Sequence, residues 1–148
     1  MFKFTNQDNY VEIDIGYFDD EEDRGKSTDL CVDINFSING FSGKSSAYIL
    51  ASQMETFAKD IIKLEKHRQG NACLIHVANE ISFELKSIDN IGHFGIICKT
   101  VEYDYLGEDY MPLEASAFME ISPEQLVNFS KEWWIDIFTR SSVVRANA

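Results

Sequence analysis

Residues 11–17 alternate apolar and polar side chains. Val11, Ile13, Ile15 and Tyr17 fall on one face and Glu12 and Asp14 on the other, the pattern of a strand with one buried side. Leu30, Val32, Ile34 and Phe36 repeat it, Phe2 and Phe4 suggest a short strand before it, and a further strand is expected over residues 44–50. Ser52-Gln53-Met54-Glu55 then has the form of a capping box, in which the serine side chain and the glutamate side chain satisfy each other's free backbone donors. Met54, Phe57, Ala58, Ile61 and Leu64 follow at helical spacing, with Lys59, Asp60, Lys63 and Lys66 on the wetter side and Gly70 as the stop.

A meander is expected next, with strands over 72–77, 81–87, 94–105 and 114–121 and turns at 78–80 and 89–92. Ser122 and Pro123 mark a second helix start, serine at the cap and proline at the first helical position. One helix from there places Leu126, Phe129, Trp133 and Ile137 in a single stripe; Trp133 then belongs to the core, and Trp134 packs beside it or emerges at the rim. These elements predict an α+β fold: a single-layer, strongly twisted antiparallel sheet of about six to eight strands, packed by one mid-chain and one C-terminal helix. Residues 1–140 form one domain on this reading and residues 141–148 a flexible tail.

Composition narrows the function classes. With 45% hydrophobic and 26% charged residues the chain is globular in type. No run is long and apolar enough to span a bilayer, and the first residues lack the apolar stretch of a signal peptide, so a cytoplasmic location is expected. Cys31, Cys73 and Cys98 are widely spaced in strand-like segments and read as small buried or half-buried thiols rather than a disulfide framework.

Charge is the informative departure. The total is −12: residues 1–40 hold ten acids and three bases, residues 41–100 six and seven, and residues 101–148 nine and three. Such a field repels nucleic acid and anionic membranes and steers basic proteins inward. Its densest run is Asp19, Asp20, Glu21, Glu22 and Asp23. A calcium loop does not fit there, because Arg24 stands where glycine is required and Leu30 where glutamate is. A solvated loop or a contact for a basic partner remains.

Tyr103, Asp104, Tyr105, Glu108, Asp109 and Tyr110 form the second concentration, interleaving acids with rings that suit a protein interface, while ordinary strand-and-loop structure is the alternative. Trp134 joins these as a candidate contact. His67, His76 and His93 are each isolated, Ser45 and Ser46 lie in no nucleophile elbow, and Gly40, Gly43 and Lys44 fall short of a phosphate loop. No catalytic set, metal site or cofactor is expected. If the fold joins the two acidic regions they make one face; if it parts them, the charge serves solubility.

The order of short motifs carries a resemblance. The strand at 11–17 is followed by Phe41-Ser42-Gly43 and Ala47-Tyr48-Ile49-Leu50, then by a helix around Glu55-Thr56-Phe57; Ile91-Gly92-His93-Phe94 opens a strand, and Ala117-Phe118-Met119-Glu120-Ile121 precedes Glu124-Gln125-Leu126. This ordering, over about residues 10–138, resembles the WapI family of bacterial immunity proteins and related uncharacterised small bacterial domains. The resemblance implies non-catalytic neutralisation of a co-expressed toxin by stoichiometric binding, and it brings no catalytic residues with it. A basic, nuclease-like toxin suits the charge. The competing classes are a structural or adaptor domain and a small hydrolase-like enzyme whose site is assembled only in three dimensions.

Overall fold

The computed structural model describes residues 1–17 and 29–147, with the side chains of 141–147 set aside. Four strands open the chain: β1 (Phe2–Asn6), β2 (Asn9–Tyr17), β3 (Leu30–Ile38) and β4 (Phe41–Ile49). Helix α1 (Ala51–His67) leads to β5 (Asn71–Ile75), β6 (Ile81–Ser87), β7 (Phe94–Leu106) and β8 (Asp109–Ile121), and α2 (Pro123–Phe129) and α3 (Trp133–Asn147) close it. The backbone of α3 thus runs helical into the segment expected to fray.

The expected single sheet is corrected. There are two separate four-stranded antiparallel sheets, β1-β2-β3-β4 and β5-β6-β7-β8, and three helices among the described residues. The cause lies at the end of β4, where the chain passes straight into α1. Leu50 is the N-cap with extended backbone and no side-chain cap bond, so the capping box at Ser52 does not form. α1 lies against β5 and α3 while β4 packs across β7 and β8, and each half of the chain pairs only with itself.

The two sheets share one core. Val11, Ile13, Val32, Ile34 and Phe36 from the first sheet meet Leu74, Phe83, Leu85, Ile96 and Met119 from the second, all buried. Phe4 of β1 lies 6.1 Å from Phe83 of β6, and Phe129 of α2 sits 5.0 Å from Phe4. Phe57 of α1 stacks on Trp134 of α3 at 5.7 Å. Such aromatic contacts add to the area they bury.

β4 does not lie beside the second sheet but crosses it. Phe41 borders Ala117 and Phe118 of β8, Gly43 meets Thr100 of β7, Ser45 Oγ donates to Val101 O at 3.4 Å, and Ala47 and Tyr48 border His76 and Glu80. The edge of β1 is covered by a side chain. At the outer edge of β1, Thr5 N–H donates to Gln125 Oε1 at 2.8 Å and Gln125 Nε2 donates to Thr5 O at 3.1 Å, so a side chain occupies the place of a strand.

The final helix breaks where one continuous helix was expected. Ser122 and Pro123 start α2 as predicted, with the Ser122 side chain accepting from Gln125 N–H. After Phe129, Lys131 N–H donates to Asn128 O and Glu132 N–H to Phe129 O. These i→i−3 bonds tighten the turn and shift the helical phase. Trp134 and Ile135 therefore point inward, and Trp133 is left 44% exposed.

Candidate interaction surface

β7 and β8 are thirteen residues each, and their far halves outrun the rest of the fold. β6 ends its pairing with β7 at Ile81–Thr100, yet the β7–β8 ladder continues through Val101–Glu114, Tyr103–Pro112 and Tyr105–Tyr110 to Leu106–Asp109. Every residue from 102 through 114 is exposed. This arm turns through Gly107 and Glu108, with Gly107 at φ 69, a conformation glycine adopts without a Cβ penalty.

Alternation along the arm sorts its chemistry onto two faces. Tyr103, Tyr105, Tyr110 and Pro112 share one. Their rings form a cluster, Tyr105 and Tyr110 at 4.4 Å edge-to-face and Tyr103 and Tyr110 at 5.7 Å. The Tyr105 phenol titrates above its ordinary value, raised first by its hydrogen bond with the Tyr110 side chain and then by desolvation. The opposite face carries Glu102, Asp104, Leu106, Asp109, Met111 and Leu113. Glu102, Asp104, Glu108 and Asp109 stand without a lysine or arginine between residues 100 and 113. Beyond the arm's base, Glu114 pairs with Lys99 Nζ at 2.7 Å.

Six of the expected contact residues, Tyr103, Asp104, Tyr105, Glu108, Asp109 and Tyr110, are thus gathered on one projecting hairpin. Trp134 is not with them: it is 2% exposed, stacked on Phe57, while its neighbour Trp133 faces outward and touches Tyr17 at 5.5 Å. Asp19, Asp20, Glu21, Glu22 and Asp23 lie outside the described residues. The strands that bracket them end at Tyr17 and begin at Leu30, which pair with each other, and Leu30 pairs in turn with Ile49 of β4. Four residues back along β4, roughly 13 Å at strand rise, Ser45 touches the base of the arm.

Sequence reasoning took in the stretch from Glu102 to Tyr110, Leu106 included, but missed Met111 and Leu113. A usable signal was present: apolar alternation marks a strand's buried face, and over 94–100 it runs Phe94, Ile96, Cys98, but beyond Val101 it gives way to acids on that face and tyrosines on the other. A second exposed apolar group was also missed. Ile88, Ile97 and Phe118 rim a depression of about 480 Å³ on the outer face of the second sheet, floored by Gly95 and flanked by Lys86 and Glu120.

Reactive groups elsewhere are tied into structural bonds. Cys73 Sγ donates to Glu84 Oε2 at 3.0 Å, and burial followed by that bond pushes its thiol up to about 11. Glu84 is lowered in turn by its bonds from Cys73 and Asn71. Burial drives Cys98 to about 12, and burial together with Asp33 raises Cys31. His93 Nδ1 contacts the Asp89 carboxylate across an exposed turn, where Asp89 Oδ1 also accepts from Ile91 N–H at 2.9 Å and His93 N–H at 3.2 Å. Asp89 is lowered by its bond to His93, and His93 is raised by its bond to Asp89. His76 Nδ1 is 3.9 Å from Glu80. Among the described residues no group of three His, Cys, Asp or Glu side chains could hold a metal ion, and no helix is long and apolar enough to cross a membrane.

The architecture is therefore two crossed meanders with one acidic, tyrosine-bearing hairpin standing clear of them. No family model matches the chain, and no curated protein or solved structure was found to match it.

Proposed function

We propose that this protein is a non-catalytic binding protein that takes up a basic protein partner on its β7–β8 arm. The observation that carries the reading is the arm itself: a hairpin extended past the core, exposed on both faces, with acids on one face and beside the turn, tyrosines on the other, and no base among them. Burying Leu106, which is 71% exposed, and the three rings against a partner would supply affinity. The acids would supply speed and selectivity for positive surfaces.

The specific role we assign is that of an immunity protein in a bacterial cytoplasm, neutralising a basic, nuclease-like toxin by stoichiometric binding. The resemblance to the WapI family and the chain's net −12 support it. Asp19, Asp20, Glu21, Glu22 and Asp23 are included in this proposal as a second steering element, since they are the densest run of acids in the chain.

The test is a pull-down from the native host with the full chain as bait, followed by association kinetics with the captured partner. A stoichiometric basic protein is expected. Replacing Glu102, Asp104, Glu108 and Asp109 by their amides should slow its association about tenfold or more at low salt and flatten the salt dependence. Unchanged kinetics with the amide variant would remove the arm from the interface.

A further inference from the structure

The arm's backbone is as informative as its side chains. In a hairpin closed by a two-residue turn, the closing pair Leu106–Asp109 exchanges hydrogen bonds, and pairs alternate from there. Tyr105–Tyr110, Tyr103–Pro112 and Val101–Glu114 are then the pairs whose N–H and C=O groups point away from each other. Val101 shows this directly: its N–H donates outward to Glu80 O at 2.8 Å, and its carbonyl accepts from Ser45 Oγ. Tyr103 and Tyr105 continue the same outward series.

The two edges of the arm differ. On the β8 edge the outward positions are Tyr110, Pro112 and Glu114, and Pro112 has no N–H to offer, which blunts that edge against pairing. On the β7 edge the Tyr103 N–H and C=O and the Tyr105 C=O have no backbone partner among the described residues. The Tyr105 N–H is held at 2.8 Å by Asp104 Oδ1, a side chain that can be exchanged for a strand carbonyl. The open stretch lies directly in line with β6, which stops at Ile81.

We infer that the β7 edge at Tyr103–Tyr105 accepts an extended, basic strand from the partner, added in line with β6. This rests on the acidic-arm reading and specifies its contact. Backbone bonds to Tyr103 and Tyr105 give the strand its register. Side chains on the face of Glu102 and Asp104 then suit lysine or arginine, and those on the tyrosine face suit β-branched or aromatic residues. When Asp104 yields the Tyr105 N–H, its carboxylate becomes free to meet one of those bases. A second copy of this chain would bring the same acids and is disfavoured by repulsion.

The probe is an eight-residue peptide alternating lysine with valine or threonine, compared with the same peptide N-methylated at alternate residues so that one edge cannot hydrogen-bond. Both are titrated into the full wild-type chain and followed by amide chemical shifts and hydrogen exchange. The unmodified peptide should bind about thirtyfold more tightly, the loss expected from two backbone bonds, and should protect the Tyr103 amide from exchange. Equal binding of both peptides, with salt-sensitive shifts at Glu102 and Asp104, would overturn strand addition and leave charge docking standing. No shift anywhere in 102–110 with either peptide would overturn both readings.

Discussion

A Cβ placed on Gly43 would lie 2.1 Å from Thr100 Oγ1 and 2.7 Å from Phe36 Cε1, so β4 crosses β7 at a separation that leaves no room for a side chain. Gly43→Ala should cost about 1–3 kcal/mol in denaturant unfolding, as overpacking in a filled core does. Adding Thr100→Ala removes the nearest obstacle and leaves the Phe36 ring, so the double variant should be less destabilised than the two singles sum to. Strict additivity would show that the crossing does not depend on this contact.

Trp133 and Trp134 should separate clearly. Trp134→Ala empties a fully packed site against Phe57 and Phe129 and should destabilise by about 3–5 kcal/mol. Trp133→Ala, at a half-open position against Tyr17, should cost about a third of that or less. Fluorescence quenching by iodide in each single-tryptophan variant gives an independent check: Trp133 should be the accessible one.

The thiols should be sluggish. At pH 7.5 a disulfide reagent should modify Cys98 only on unfolding, and Cys73 slowly, since attack requires a thiolate that a pKa of about 11 makes scarce. Glu84→Gln removes the carboxylate that accepts from Cys73 and should speed its modification. A fast Cys73 in the wild type would contradict the geometry.

The Asp89–His93 turn makes a pH prediction. His93 is raised in the folded state, so its contribution is complete below its unfolded pKa near 6.5 and is lost as pH rises through the folded value. Asp89 is lowered, so its contribution is present above about 3.8 and fades as pH falls through its folded value. The pair therefore tightens the turn most between about pH 4 and 6.5. An imidazole titration by NMR should show the His93 pKa dropping in Asp89→Asn; an unmoved value would dissolve the pair.

How far these features can be read from sequence depends on what each signal encodes. Alternation at Val11, Ile13, Val32 and Ile34 identifies the buried face of a strand but is silent on what covers it, and so one sheet and two crossed sheets look alike. Gly43 held the missing information, yet a glycine between serine and lysine also reads as a turn. The stripe Leu126, Phe129, Trp133 assumes an unbroken helix, and the tight turn at 130–132, built from backbone bonds that any residue can make, turned Trp133 out of the core and left Trp134 inside it. The tyrosine-acid segment was visible as composition; its projection beyond β6 follows from strand lengths that local pattern does not fix.

Among the described residues each strand pairs only with sequence neighbours inside its own meander, and no backbone-to-backbone bond joins the first meander to the second. Backbone ladders are thus settled within each half of the chain, side-chain bonds such as Ser45 to Val101 cross between them, and apolar burial is shared. The two forces can be uncoupled: conditions that weaken packing before they weaken ladders should leave both meanders formed while Phe4 and Phe83 part. Near-ultraviolet circular dichroism should then fall before the far-ultraviolet signal does, and β4 should swing free of the arm's base, so that the integrity of the core determines how far the hairpin stands out from its scaffold.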